Sequence, residues 1–181
     1  MNTKIAVIGA GAWGTALSNI LAKNQNVILW AKEKNVCDNI NKKNENKRFL
    51  PKIKLSKKIK CTTEINDVCN CNILFLVIPV QYLSSVLNKL KNSLDTKTIF
   101  VCCSKGIEMN SLKLPSQIVS SIFPKNKIAV ISGPNFANEI ARGLPAATVV
   151  ASKNEEVSEK IAHLIKSQTL RPYLSSDIIG S

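Results

Sequence analysis

A doubly wound α/β fold, with a mainly parallel sheet and helices on both faces, is what this 181-residue sequence predicts. Three observations predict it. Short apolar runs of strand type alternate with segments of helical period along the chain, which is the pattern of successive βα units. One run, Ile73–Ile78, is apolar at every position and is stopped by Pro79, as a strand buried on both faces should be. The amino end reads as strand, glycine turn and helix: Ile5–Ile8, then Gly9-Ala10-Gly11, then an apolar helix through about Lys23.

The remaining elements follow in order. Val27–Trp30 is a second strand. A polar, Lys/Asn-rich stretch comes next, with a helix over Lys34–Lys42 and the segment Arg48-Phe49-Leu50-Pro51. Val80–Leu90 has helical spacing, Thr98–Cys103 is a strand and Leu112–Ile122 a helix. Lys127–Ile131 is a strand, Asn135–Arg142 a short helix and Thr148–Ala151 a strand. Asn154 caps a helix running to about Lys166, with Glu155 and Glu156 in the first turn, where the helix dipole favours acids. Leu170–Leu174 is the last strand. No internal repeat or low-complexity linker interrupts the pattern, so residues 1–181 are expected to form one domain.

Composition excludes several classes. Hydrophobic residues are 45% and charged residues 20% of the chain, which is globular and not disordered composition. No apolar run approaches the roughly 18 residues that a membrane span needs, and the amino end lacks a cleavable signal pattern. A cytoplasmic protein without membrane insertion is expected. The net charge is +13, from 25 Lys and Arg against 12 Asp and Glu, yet only Arg48, Arg142 and Arg171 are arginines. The dense basic stretch Lys42–Lys60 therefore lacks the guanidinium forks of base readers, and too few aromatics interleave it for stacking on single strands. Nucleic-acid binding is not expected. A solvated lysine surface and long-range attraction of an anionic ligand both fit. Cys69 and Cys71 are one residue apart and His163 is the sole histidine, so no zinc site is expected. All six cysteines are expected to be free thiols.

In open parallel sheets, ligands bind beyond the carboxyl ends of the strands, where strand order reverses. The loops after Ile8, Trp30, Ile78, Cys103 and Ile131 are thus the ones to inspect. The first is Gly9-Ala10-Gly11-Ala12-Trp13-Gly14, a G-x-G-x-x-G between a strand and a helix. Gly9 permits the tight turn, Gly11 lets a pyrophosphate reach the backbone, and Gly14 lets helix and strand pack closely. The helix start offers unpaired N–H groups to phosphate. This predicts a Rossmann-type dinucleotide site. Glu33 lies where a ribose-binding acid is expected, but Lys32 and Lys34 flank it. An acid there suits NAD and a base suits the 2′-phosphate of NADP. Both cofactors stay open, with a lean to NADP through Lys32.

Two later loops carry substrate-type chemistry. Ser104-Lys105-Gly106-Ile107-Glu108 sets a cation at a strand's carboxyl end, beside a glycine, where it can hold a carbonyl or phosphate oxygen. Ser132-Gly133-Pro134-Asn135-Phe136-Ala137 offers a bare backbone N–H at Gly133 and an amide at Asn135. Asn135 can also serve as the N-cap of the next helix.

Together, the segments Gly9–Leu17, Arg48–Pro51, Val77-Ile78-Pro79, Ser104–Glu108, Ser132–Ala137 and Gly143–Ala147, in that order and spacing, resemble the N-terminal domain of bacterial NAD(P)-dependent glycerol-3-phosphate dehydrogenases. The resemblance covers the whole chain. It implies reduction of dihydroxyacetone phosphate to sn-glycerol 3-phosphate, which feeds glycerophospholipid synthesis. By position it places Ala12, Trp13, Lys32 and Phe49 on the dinucleotide, Lys105 on both cofactor and substrate, Gly133 and Asn135 at the substrate, and Ala137 at the nicotinamide side. Relatives often carry Thr or Ser where this chain has Asn135. The resemblance also implies a helical substrate domain beyond Ser181 that holds the proton-transfer lysine, so no catalytic residue is expected within this chain. A homodimer is compatible with these features. The alternatives are a non-catalytic dinucleotide-binding module and a dehydrogenase of another small anionic substrate.

Overall fold

The computed structural model describes residues 3–181. Eight strands form one sheet: β1 (Ile5–Ile8), β2 (Val27–Trp30), β3 (Ile59–Thr62), β4 (Ile73–Leu76), β5 (Ile99–Cys102), β6 (Ile128–Ser132), β7 (Ala146–Ala151) and β8 (Leu170–Ser175). Their order is β3-β2-β1-β4-β5-β6-β7-β8. All neighbouring pairs are parallel except β6 and β7. Strand order therefore reverses between β1 and β4, which opens a crevice at their carboxyl ends.

Side chains alternate across the sheet and split the core in two. Ile5, Val7, Leu29 and Phe75 face one layer with Leu17 and Leu21 of α1 (Ala12–Leu21), Val36 and Ile40 of α2 (Lys34–Lys43), and Ile161 and Ile165 of α6 (Glu155–Ile165). Ala6, Ile8, Leu74 and Phe100 face the other with Leu83 and Leu87 of α3 (Leu83–Leu90) and Ile118 and Val119 of α4 (Pro115–Ile122). Helices cover both faces, as expected. Asn154 caps α6, also as expected: its side chain accepts from the Val157 N–H at 3.1 Å.

Four expectations are corrected. The basic stretch contains a strand, β3, whose Ile59 and Cys61 point inward between exposed Lys58 and Lys60. The helix expected from Leu112 starts at Pro115. Leu112 has φ +55°, and the Gln117 side chain instead accepts the Leu114 N–H at 2.9 Å, which fixes a start that suits proline at the first position. The short helix α5 spans only Ala137–Ala141, so Asn135 lies outside it and does not cap it. Finally, Cys37 on α2 and Cys61 on β3 are joined as a disulfide with a Cα–Cα distance of 5.1 Å, within the usual range. Cys69, Cys71, Cys102 and Cys103 are the free thiols.

The direction of β7 sets which residues reach the crevice end of the sheet. Ser132 pairs with Val149 and Val130 with Ala151, so the first residues of β7, and of β8 parallel to it, lie where β1–β6 finish.

Candidate functional site

The turn after β1 is held open by its glycines. Gly9 has φ +120°, and a Cβ there would stand 2.8 Å from the Val77 carbonyl oxygen of the neighbouring loop. A Cβ on Gly14 would collide with the Gly9 carbonyl oxygen at 1.8 Å. Gly11 is different: its φ is −67° and a Cβ would meet nothing within 4 Å. It borders open space, where a ligand can approach the main chain.

The first bond of α1 is Thr15 N–H to the Gly11 carbonyl. The N–H groups ahead of it belong to an uncapped helix start with no acid in its first turn, which is a ready anion site.

A buried asparagine fixes this turn to the segment beyond α2. Asn46 is fully buried. Its Nδ2 donates to the Ala10 carbonyl at 2.9 Å and to Thr15 Oγ1 at 2.8 Å. Its Oδ1 accepts the Phe49 N–H at 3.2 Å. Phe49 is thereby set beside the glycine loop, with the Arg48 guanidinium 4.9 Å from its ring centroid. Arg48 also reaches Glu33 at 3.9 Å.

These parts wall one cleft of about 700 Å³ at the β1–β4 crevice, a size suited to a cofactor. Gly9, Gly11, Ala12, Trp13, Gly14, Lys32, Phe49 and Lys105 all line it, so eight of the residues singled out by sequence converge. Lys32 is exposed at one end, next to Glu33, and Lys105 is exposed at the other.

The other three predicted residues lie outside this cleft, on the loop after β6. A hydrogen bond joins this loop to the cleft: Lys105 Nζ donates to the Gly133 carbonyl oxygen at 2.9 Å, and α5 packs on α1. The Asn135 N–H donates to that same carbonyl at 2.9 Å. Ala137 begins α5. Gly133 has φ +149°, and a Cβ there would lie 3.2 Å from the Ala147 carbonyl oxygen, so the loop rests directly on β7.

Sequence reasoning missed several residues. Tyr82, Ser85, Val86 and Lys89 form a further wall of the cleft. Their spacing marks one face of a helix, and that signal was present in the sequence. Asn46 carried none, because a polar residue in a polar stretch gives no hint of burial. Cys103 also lines the cleft. Burial, reinforced by neighbouring Cys102, pushes its thiol well above the ordinary range, so it stays protonated and is no nucleophile. No group of three or more His, Cys, Asp or Glu fit to hold a metal occurs among the described residues.

Comparison with known proteins gives a consistent picture. The family described as "NAD-dependent glycerol-3-phosphate dehydrogenase N-terminus" matches residues 4–158. The glycerol-3-phosphate dehydrogenase [NAD(P)+] of Parvibaculum lavamentivorans is 41% identical over 179 residues, covering 98% of this chain and 54% of the relative. That of Zymomonas mobilis is 40% identical over 177 residues, covering 98% of this chain and 51% of the relative. The crystal structure of glycerol-3-phosphate dehydrogenase from Coxiella burnetii superposes with a TM-score of 0.93 at 32% identity, over 99% of this chain and 55% of that one. The chain thus spans about half the length of the curated relatives it matches.

Proposed function

The chain belongs to the NAD-dependent glycerol-3-phosphate dehydrogenase family, whose N-terminal region it matches, and from that premise we propose that residues 1–181 are the cofactor-binding half of an enzyme reducing dihydroxyacetone phosphate to sn-glycerol 3-phosphate. The observation that carries the reading is the cleft at the strand-order reversal, floored by the glycine loop and holding a lysine at each end.

The cofactor, NADP or NAD, supplies the hydride. The residues of this chain bind and orient. The start of α1 takes the pyrophosphate at Gly11, where open space adjoins the backbone. Phe49, buttressed by Arg48 and Asn46, offers a ring face at the adenosine end. Lys32 favours a 2′-phosphate there. Arg48 supports it, because its pairing with Glu33 offsets the carboxylate that would repel that phosphate. Lys105 stands at the far end, free to transfer its Nζ–H bond from the Gly133 carbonyl to a substrate oxygen. The proton for the new alkoxide comes from a lysine outside these residues in this reading.

The proposed work is cytoplasmic, where such phosphorylated substrates and dinucleotides are held. No helix among the described residues is long and apolar enough to cross a membrane.

Trp13 and Trp30 both line the cleft, so a fluorescence titration reports binding directly. NADPH should quench them and bind several-fold more tightly than NADH, with the difference lost in Lys32→Ala. Absence of quenching by either dinucleotide overturns the proposal.

A further inference from the structure

Thr148 is buried on β7, 3% exposed, and its hydroxyl has one proton. That proton goes to the Ser132 carbonyl oxygen at 2.9 Å. The lone pairs of the hydroxyl then face Asn135, and the group opposite them must be a donor. It is: Asn135 Nδ2 lies 2.9 Å away. A flipped amide would set two acceptors against each other. The hydroxyl therefore decides which end of the Asn135 amide points where.

The other end is unusual. Asn135 Oδ1 is the one buried side-chain nitrogen or oxygen among the described residues without a hydrogen-bond partner. Leaving such an acceptor unpaired in the folded chain is costly. Elsewhere the chain avoids this even for fully buried Asn46. The orphan sits on the loop whose Gly133 carbonyl holds Lys105. The antiparallel entry of β7 brings Thr148 to this end of the sheet.

We infer that Thr148 is a positioning residue that presents Asn135 Oδ1 as a fixed, acceptor-only contact for a substrate hydroxyl bound beside Lys105. The inference rests on the proposed function and deepens it. Dihydroxyacetone phosphate and glycerol 3-phosphate both carry a hydroxymethyl group that can donate to such an oxygen. An analogue without that hydroxyl leaves the oxygen buried and unpaired, the kind of mismatch that a polar site rejects strongly.

The test uses the full chain, its Thr148→Val and Thr148→Ser variants, and NADP+, with NADPH fluorescence followed throughout because NADP+ and sn-glycerol 3-phosphate are the pair that the reverse reaction would consume. In proton–nitrogen spectra, the Asn135 side-chain amide protons should exchange slowly with water in the wild type and in Thr148→Ser, and rapidly in Thr148→Val. Adding sn-glycerol 3-phosphate should move the Asn135 signals. Its affinity should fall roughly tenfold in Thr148→Val and recover in Thr148→Ser, while quenching of Trp13 and Trp30 by NADP+ stays the same in all three. Should Thr148→Val not fold, the wild type decides: 1,2-propanediol 1-phosphate, which lacks the hydroxymethyl OH, must bind roughly tenfold more weakly than glycerol 3-phosphate. Equal binding of the two ligands, or unmoved Asn135 signals with NADP+ bound, overturns the inference and leaves the cofactor reading intact. Failure of NADP+ to quench the tryptophans overturns both.

Discussion

The ammonium of Lys105 donates to the carbonyl oxygen of Gly133 at 2.9 Å, and this bond joins two loops that the chain separates by β6. It gives Lys105 a partner inside the protein that steadies the ammonium and leaves two of its three N–H donors for ligand oxygens. Lys105→Met keeps the length of the side chain and removes the charge. Because Lys105 is exposed, stability should change by no more than about 0.5 kcal/mol. Dinucleotide affinity should fall about tenfold, the scale of a charged hydrogen bond. Calorimetric titration beside a thermal melt separates the two effects. Unchanged affinity would remove Lys105 from the cofactor site.

Two glycines of one motif should behave oppositely. Gly14→Ala drives a Cβ into the Gly9 carbonyl oxygen, an overpacking that costs about 3 kcal/mol. A melting temperature lowered by roughly 6–12 °C is expected at this chain length. Gly11→Ala meets no protein atom and keeps an ordinary φ, so the melting temperature should hold or rise slightly. Its methyl group instead occupies the path of the pyrophosphate, and quenching by NADPH should be lost. Equal effects of the two changes on folding would contradict the geometry.

Glu108 anchors the loop that carries Lys105. It is buried, and its carboxylate accepts from Ser111 and Ser84. Those two bonds, with a smaller pull from Lys113, hold its pKa below the ordinary value of 4.5 against the opposing effect of burial. A carboxylate lowered on folding contributes stability above its unfolded pKa and loses it as pH falls through the folded one. The gap in melting temperature between wild type and Glu108→Gln should therefore be widest near neutral pH and narrow as pH falls below the ordinary value of 4.5. A gap that widens on acidification would show that the carboxylate is not the stabilising form.

The thiols offer a chemical count. Burial pushes Cys71 up to about 11, despite an opposing pull from Lys4, Cys102 up to about 12 and Cys103 well above the ordinary range. Cys37 and Cys61 are paired. Iodoacetamide at pH 8 on the folded chain should thus label Cys69 alone, seen as a single mass increment, since Cys69 is partly exposed and the other three free thiols are buried. Two or more increments without denaturant would contradict the packing of the sheet.

The sequence carried the parts that depend on local pattern. The alternation of apolar runs located seven of the eight strands, and the glycine spacing located the tight turn between β1 and α1. β3 was hidden because its outward Lys60 and the preceding Lys57 and Lys58 lie in a lysine-rich stretch, so its period of two looked like composition. Asn46 was hidden because its partners, Ala10, Thr15 and Phe49, are brought together only by the tertiary fold. Asn135 was legible as a polar residue of the loop after β6, but its capping role was misread. The start of α5 depends on backbone geometry at Phe136, and the partner of its amide, Thr148, arrives from a strand whose direction no local pattern reveals. The Cys37–Cys61 pairing failed for the same reason: their proximity follows from α2 packing on β3.

The order of the site along the chain has a consequence for synthesis on the ribosome. Every residue lining the dinucleotide cleft is translated by Lys105, and five parallel strands suffice to enclose it. Gly133 and Thr148 emerge later, the latter about 40 residues on, a delay of a few seconds at about 5–20 residues per second. A nascent chain thus acquires the means to hold its dinucleotide before Lys105 has its carbonyl partner or Asn135 its orienting hydroxyl. Dinucleotide captured at that stage would act as a folding scaffold, onto which the two reversed strands, β7 and β8, close last.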